Sequence, residues 1–176
     1  MNIIKVYNDK LGRGIQMKKN GILNRHVNEI IASMGHGQVL IICDAGFPIP
    51  RDANYVDLAV MKDLPRLETI LELIANEFIT EKVMVANEVP TNNPHLYAEV
   101  KKLFPECEIE TVKHEEMLGH IAHNAKAIIR TGAYNPWGNI ALVSGTDPFA
   151  WFDSDDYVIP EFYQERIKRI NEANKK

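Results

Sequence analysis

The segment QVLIIC, residues 38–43, constrains the fold more than any other part of the chain. After Gln38 it is continuously apolar, rich in branched side chains, and closed by the polar, turn-forming DAG. It is too short for a helix and too uniformly apolar for a strand with one wet face. It reads as a strand buried on both faces, which requires a sheet covered by helices above and below.

The flanking segments supply those helices. In NRHVNEIIASMG, Val27, Ile30, Ile31 and Met34 recur at helical spacing, with Asn24 placed to cap the start and Gly35 the end. In DLPRLETILELIANEF the stripe is Leu67, Ile70, Leu71 and Ile74, with Asp63 as the expected cap and Pro65 in the first turn. KVMVANEV reads as a strand, NPHLYAEVKKLF as a helix capped by Asn93, EIETV as a strand and HEEMLGHIAHNA as a helix. AKAIIRTG and NIALVSG add two strands, while NYVDLAV stays open between an edge strand and a loop. The alternation predicts a single-domain, three-layer α/β/α fold around a mostly parallel or mixed sheet. Beyond Pro160, the set Phe162, Tyr163, Ile167 and Ile170 on a charged background predicts a terminal helix packing on its own domain.

Charge and hydropathy exclude several classes. Twenty basic and 24 acidic residues are mixed along all 176 positions, so no basic stripe exists for a nucleic acid. No window approaches 18 consecutive apolar residues, and the start lacks the features of a secretory signal, so a cytoplasmic protein without membrane partners is expected. Cys43 and Cys107 have neither paired spacing nor an oxidising context and are expected as reduced thiols. LGRG, residues 11–14, lacks the lysine and hydroxyl residue of a phosphate loop.

Two polar residues bracket the buried strand. Asp44 falls at its carboxyl end, where open α/β sheets bind ligands, and the stiff loop AGFPIP follows it. The alternative is that Asp44 only caps its own turn. His36 lies just after a helix end; it serves either the helix dipole or acid-base chemistry near neutral pH. A strand over 39–43 would hold the two about 17 Å apart. They can share a site only if a neighbouring subunit supplies one of them. His114, His120 and His123 do not share a helix face, so no metal site is expected. His114 instead starts its helix directly after a strand, on the rim of Asp44, with a packed core histidine as the alternative. RTGAYNPWGNIALVSG offers an aromatic face and amide donors suited to a sugar, though the same composition suits a plain hairpin loop.

The ordered motifs MKKNGILN, MGHG, DAGFPIP, DLAV, NNPHL, a lone His before a helix, AIIRTG and PWGNIALVSG together resemble the D-ribose pyranase and L-fucose mutarotase family across residues 17 to about 146. DAGFPIP and MKKNGILN are closer to the ribose branch, MGHG and WGN to the fucose branch. The resemblance implies an isomerase domain over 17–148, with 1–16 and 149–176 as extensions. It implies interconversion of monosaccharide ring forms without a cofactor, by general acid-base ring opening and closing. Carried over by position, His36 becomes the catalytic histidine, and Asp44, His114, Trp137, Gly138 and Asn139 the substrate-binding residues. Trp137 departs from the family's usual tyrosine. An indole N–H donates but cannot accept. The family also implies a cyclic homo-oligomer, a pentamer or a decamer of two pentamers, with the site at a subunit boundary. A non-catalytic monosaccharide-binding accessory of an uptake system is the alternative.

Overall fold

The computed structural model describes residues 21–175; the readings placed on residues 1–20 lie outside them. Six strands form one mixed sheet: β1 (Val39–Cys43), β2 (Tyr55–Asp57), β3 (Thr80–Ala86), β4 (Glu108–Val112), β5 (Ala127–Arg130) and β6 (Ile140–Ser144), in the order β2-β5-β1-β6-β3-β4. β6 runs antiparallel to β1 and β3, while β1–β5, β2–β5 and β3–β4 are parallel. NYVDLAV thus contains an edge strand.

β1 sits centrally, with Leu40 opposite Ala127 and Leu142, and it is buried as its sequence predicts. Leu40 and Ile42 enter the larger core, against Val27 and Ile30 of α1 (Arg25–Ser33), Leu67, Ile70, Leu71 and Ile74 of α2 (Leu67–Ala75), and Leu96 and Val100 of α4 (Pro94–Leu103). Ile41 and Cys43 enter the smaller core on the opposite face, against Phe47, Met117, Ile121 and Ala122. Each fully buried side chain of this size contributes about 1.5–3 kcal/mol, so both faces repay their coverage. The short α3 (Val89–Asn92) precedes α4, and α7 (Pro148–Trp151) and α8 (Glu161–Ala173) follow β6.

Several local expectations hold and several do not. Asn24 accepts from the His26 and Val27 N–H groups, and Asn93 from that of Leu96. Gly35 is not the C-cap of α1. Met34 ends it in an extended conformation, because the chain must turn at once into β1, and the left-handed residue is Gly37 (φ 77°), whose N–H donates to Ser144 O. Asp63 does not cap α2, which has no side-chain cap; it sits left-handed (φ 58°) and accepts from the Tyr134 N–H. HEEMLGHIAHNA folds as α5 (His114–Glu116), a π-helical turn (Met117–Ile121) and α6 (Ala122–Asn124). The wider turn rotates the apolar face, so Met117 and Ala122 are buried, beside Ile121, where the simple helical stripe through 114, 118, 121 and 125 does not place them.

The β5–β6 connection is no hairpin, because β1 lies between the two strands. Residues 131–139 instead pass over the carboxyl end of β1. Thr131 N–H and its hydroxyl both donate to Cys43 O, at 2.9 and 2.8 Å, and Ala45 N–H donates to Ala133 O at 2.9 Å. Gly132 makes this passage possible. A Cβ there would overlap the carbonyl oxygens of Met61 and Leu64 and stand 2.7 Å from the Leu64 carbonyl carbon. Gly132→Ala is expected to cost about 1–3 kcal/mol, since the obstacle is backbone and cannot swing away. Chemical denaturation would measure it; an unchanged midpoint would refute the tight passage.

Candidate active site

The parallel strands bring their carboxyl ends to one edge of the sheet, and β6 starts there. Asp44 follows β1, His114 opens the helical segment after β4, Arg130 ends β5 and Asn139 precedes β6. The fold therefore gathers Asp44, His114 and Asn139, three of the residues expected from sequence, onto one rim. Asn139 is buried and its side-chain oxygen accepts the Asp44 N–H at 3.3 Å. The Asp44 carboxylate accepts the Gly46 N–H at 2.8 Å, so the turn-capping role is real as well.

Burial raises the Asp44 pKa above the ordinary carboxylate value, opposed by the Gly46 and Asn139 hydrogen bonds and the charge of His114. A carboxyl group that keeps its proton more readily than usual suits proton exchange. The same burial has a thermodynamic sign. A raised folded pKa means the group's contribution to stability is fully present at low pH and is lost as pH rises through the folded value. Asp44→Asn, which keeps an acceptor for Gly46, is thus expected to raise the melting temperature near neutral pH, with the gain disappearing in acid. Thermal melts of both proteins across that range would show it; a gain independent of pH would contradict the burial account.

Arg130 stiffens the rim. Its Nη1 donates to Asp57 Oδ2 at 2.8 Å, while Nη2 and Nε donate to Ala45 O at 2.8 and 3.2 Å. Nothing but a cation at a strand end signalled it in the sequence. Glu88, just after β3, adds a carboxylate oxygen that is buried and has no hydrogen-bond partner among the described residues.

Trp137 and Gly138 occupy the passage above. Trp137 is left-handed (φ 54°), half-buried and packed on the larger core. Gly138 is buried, with room for no Cβ beside Asn135 O at 2.7 Å. Their loop is tied down from α2 and α4: Asn135 Nδ2 donates to Glu68 Oε1, and Asn93 Nδ2 donates to Asn135 Oδ1 and Pro136 O. Tyr134 beside it is exposed, with the Lys62 ammonium 5.6 Å from its ring centre.

His36 lies at the other edge of the sheet, before β1, where β6 ends and β3 begins. Its Nε2 is 3.1 Å from Glu81 Oε2 and its ring meets Trp151 edge-on at 6.4 Å. A five-residue strand separates it from Asp44, as the sequence required. Two open grooves of about 310 and 460 Å³ lie beside α2, and neither is lined by His36 or Asp44. His120 and His123 are exposed, and among the described residues no cluster of three or more His, Cys, Asp or Glu side chains is placed to hold a metal ion. Burial pushes the thiol of Cys43 far up and that of Cys107 to about 12, which leaves neither as a nucleophile.

Comparison with known proteins shows the family and the fold. The RbsD / FucU transport protein family matches residues 17–147. D-ribose pyranase 2 of Rubrobacter xylanophilus is 53% identical over 150 residues, 85% of this chain and 97% of its own. D-ribose pyranase 1 of Streptomyces griseus is 46% identical over 151 residues, 86% of this chain and 100% of its own. Among solved structures, Bacillus subtilis RbsD complexed with D-ribose superposes with a TM-score of 0.70 at 38% identity, over 74% of this chain and 99% of that one. The fucose mutarotase of Streptococcus pneumoniae in complex with L-fucose shares the fold, with a TM-score of 0.60 at 18% identity over 70% and 94%.

Proposed function

Because this chain belongs to the RbsD / FucU family, we propose that it is an isomerase that interconverts ring forms of a monosaccharide, with D-ribose, pyranose to furanose, as its substrate. The names of the relatives support the reaction, and the D-ribose complex of the B. subtilis protein supports the sugar. The accessory-protein alternative has no comparable support. The observation that carries the reading is the rim, where a carboxyl group with a raised pKa faces a histidine and a buried amide.

The reaction fits such groups. His36 accepts the proton of the anomeric hydroxyl as the bond from C1 to the ring oxygen breaks, and the electron pair goes to that oxygen. The imidazolium returns the proton to the ring oxygen, leaving the open-chain aldehyde. Closure through a different hydroxyl runs the same steps backwards. Asp44 and His114 orient hydroxyls and share the proton load, while Trp137, Gly138 and Asn139 hold the sugar. No hydride moves and no carbanion forms, so the chemistry calls for no cofactor.

His36 and Asp44 belong to opposite edges of the sheet, so the site takes His36 from one chain and the rim from another. The family resemblance implies that this assembly is a cyclic homo-oligomer, a pentamer or decamer. Among the described residues no helix is long and apolar enough to cross a membrane. Saturation-transfer NMR on D-ribose and L-fucose tests the function. Pyranose–furanose exchange of ribose well above the buffer rate is expected; binding with exchange at the buffer rate would leave only the accessory role.

A further inference from the structure

We propose that the C-terminal segment completes the proton-transfer site: Glu81 of β3, backed by Arg166 of α8, holds His36 by Nε2, leaving Nδ1 as the nitrogen that exchanges protons with the sugar. The inference rests on His36 as the acid-base residue. The segment lies beyond residue 147, where the family match ends, so the family pattern does not supply Arg166 or Trp151.

The sheet is distorted where Glu81 leaves it. Thr80 pairs with Ser144 and Lys82 with Val143, so Glu81 is the extra residue of a bulge. Bulges re-aim a side chain. Here the carboxylate reaches His36 Nε2 at 3.1 Å and, at 4.0 Å, Nη1 of Arg166. Arg166 is 2% exposed, a charge that burial makes costly unless it is paired. Its Nη1 donates to Thr146 O, and its guanidinium lies against Gly145, where a Cβ would come within 2.9 Å of Nη2. A slot shaped for a guanidinium thus fixes the carboxylate, and the carboxylate fixes the ring. Trp151 meets the imidazole edge-on, with ring centres 6.4 Å apart.

The hydrogen follows from this arrangement. A carboxylate only accepts, so the ring nitrogen facing it carries the hydrogen. The bond made by one nitrogen selects the tautomer. Nε2–H donates to Glu81, and Nδ1 presents the lone pair that takes the anomeric proton and returns it to the ring oxygen. Glu81 and Arg166 are positioning residues; they act through His36.

The full-length protein, labelled with ¹⁵N-histidine, tests this by two readouts: the tautomer of His36 from long-range ¹H–¹⁵N correlations, and exchange kinetics on D-ribose. Wild type is expected as the Nε2–H form. Glu81→Ala is expected to mix the tautomers and lower kcat about 10- to 100-fold with little change in KM, and Glu81→Gln, whose carbonyl still accepts, to recover the tautomer and part of the rate. Trp151 is 59% exposed and replaceable without opening the core. Trp151→Ala is expected to shift the His36 ring resonances and lower kcat by roughly a factor of 3 to 10. Wild-type tautomer and kcat in Glu81→Ala, alongside an inactive His36→Ala, would overturn the inference and leave the function standing. Unchanged resonances and kcat in Trp151→Ala and Arg166→Gln would remove the C-terminal segment from the site. Full exchange in His36→Ala would instead move the acid-base role off His36, the reading on which the inference rests, and leave the isomerase activity standing.

Discussion

His36→Ala is expected to lower enzyme-dependent ring exchange by roughly 10²- to 10⁴-fold, the usual worth of a positioned proton-transfer group. Imidazole is the side-chain type best suited to taking up and returning a proton near neutral pH. The fold should barely register its loss. The side chain is 41% exposed, and its hydrogen bond to a Glu81 carboxylate that still faces Arg166 is worth about 0.5–1.5 kcal/mol. A melting temperature close to wild type with exchange near the buffer rate is therefore the expected pair of results. Saturation-transfer NMR and a thermal melt on one sample provide both. Exchange within a factor of two or three of wild type would move the acid-base role elsewhere.

Asp44→Ala comes next in size, at roughly 10²-fold in kcat/KM, since a hydrogen bond to a charged group is worth about 1.5–3 kcal/mol and the proton load it shares is lost too. Its effect should differ in kind from that of His36. Asp44 is tied to Gly46, Asn139 and Phe47 through backbone and side-chain bonds, so removing it disturbs the rim that holds hydroxyls. KM should rise as well as kcat fall. Sugar titrations at fixed enzyme would show whether KM moves; a loss confined to kcat would make Asp44 a proton donor without a binding role.

Much of this was legible in the residues because burial writes itself into sequence. VLIIC could only be a strand covered on both faces, and the stripes of α1, α2 and α4 follow the helical period that packing demands. Asn24 and Asn93 cap helices through a bond that spans two or three residues, which local sequence can encode. What failed depended on distant chain. Asp63 gives its carboxylate to Tyr134, 71 positions away, instead of to α2. The loop of residues 131–139 looks like a hairpin until β1 is seen between its strands. The π turn at Met117 leaves no mark in the hydrophobic period until the core face is known.

The site divides along the same line. Asp44 stood out because a carboxylate at the end of a buried strand has a position that chemistry uses. His36 drew its role from family resemblance, since next to a helix end a histidine is unremarkable. Glu81 and Arg166 were invisible: a bulge in β3 and a slot beside Gly145 exist only once β6 and α8 are in place. The separation of His36 from Asp44, by contrast, follows from the rise of one strand and needed no structure.

That separation is also the most exposed part of the account, because it demands two chains per site. Co-expressing the two inactive variants, His36→Ala and Asp44→Ala, and purifying the mixed assembly tests it directly. A site built from the intact His36 of one chain and the intact rim of its neighbour arises at about a quarter of boundaries in a randomly mixed ring. Ribose exchange restored to about that fraction of wild type is the predicted result; a mixture as inactive as either parent would contradict a site shared between subunits.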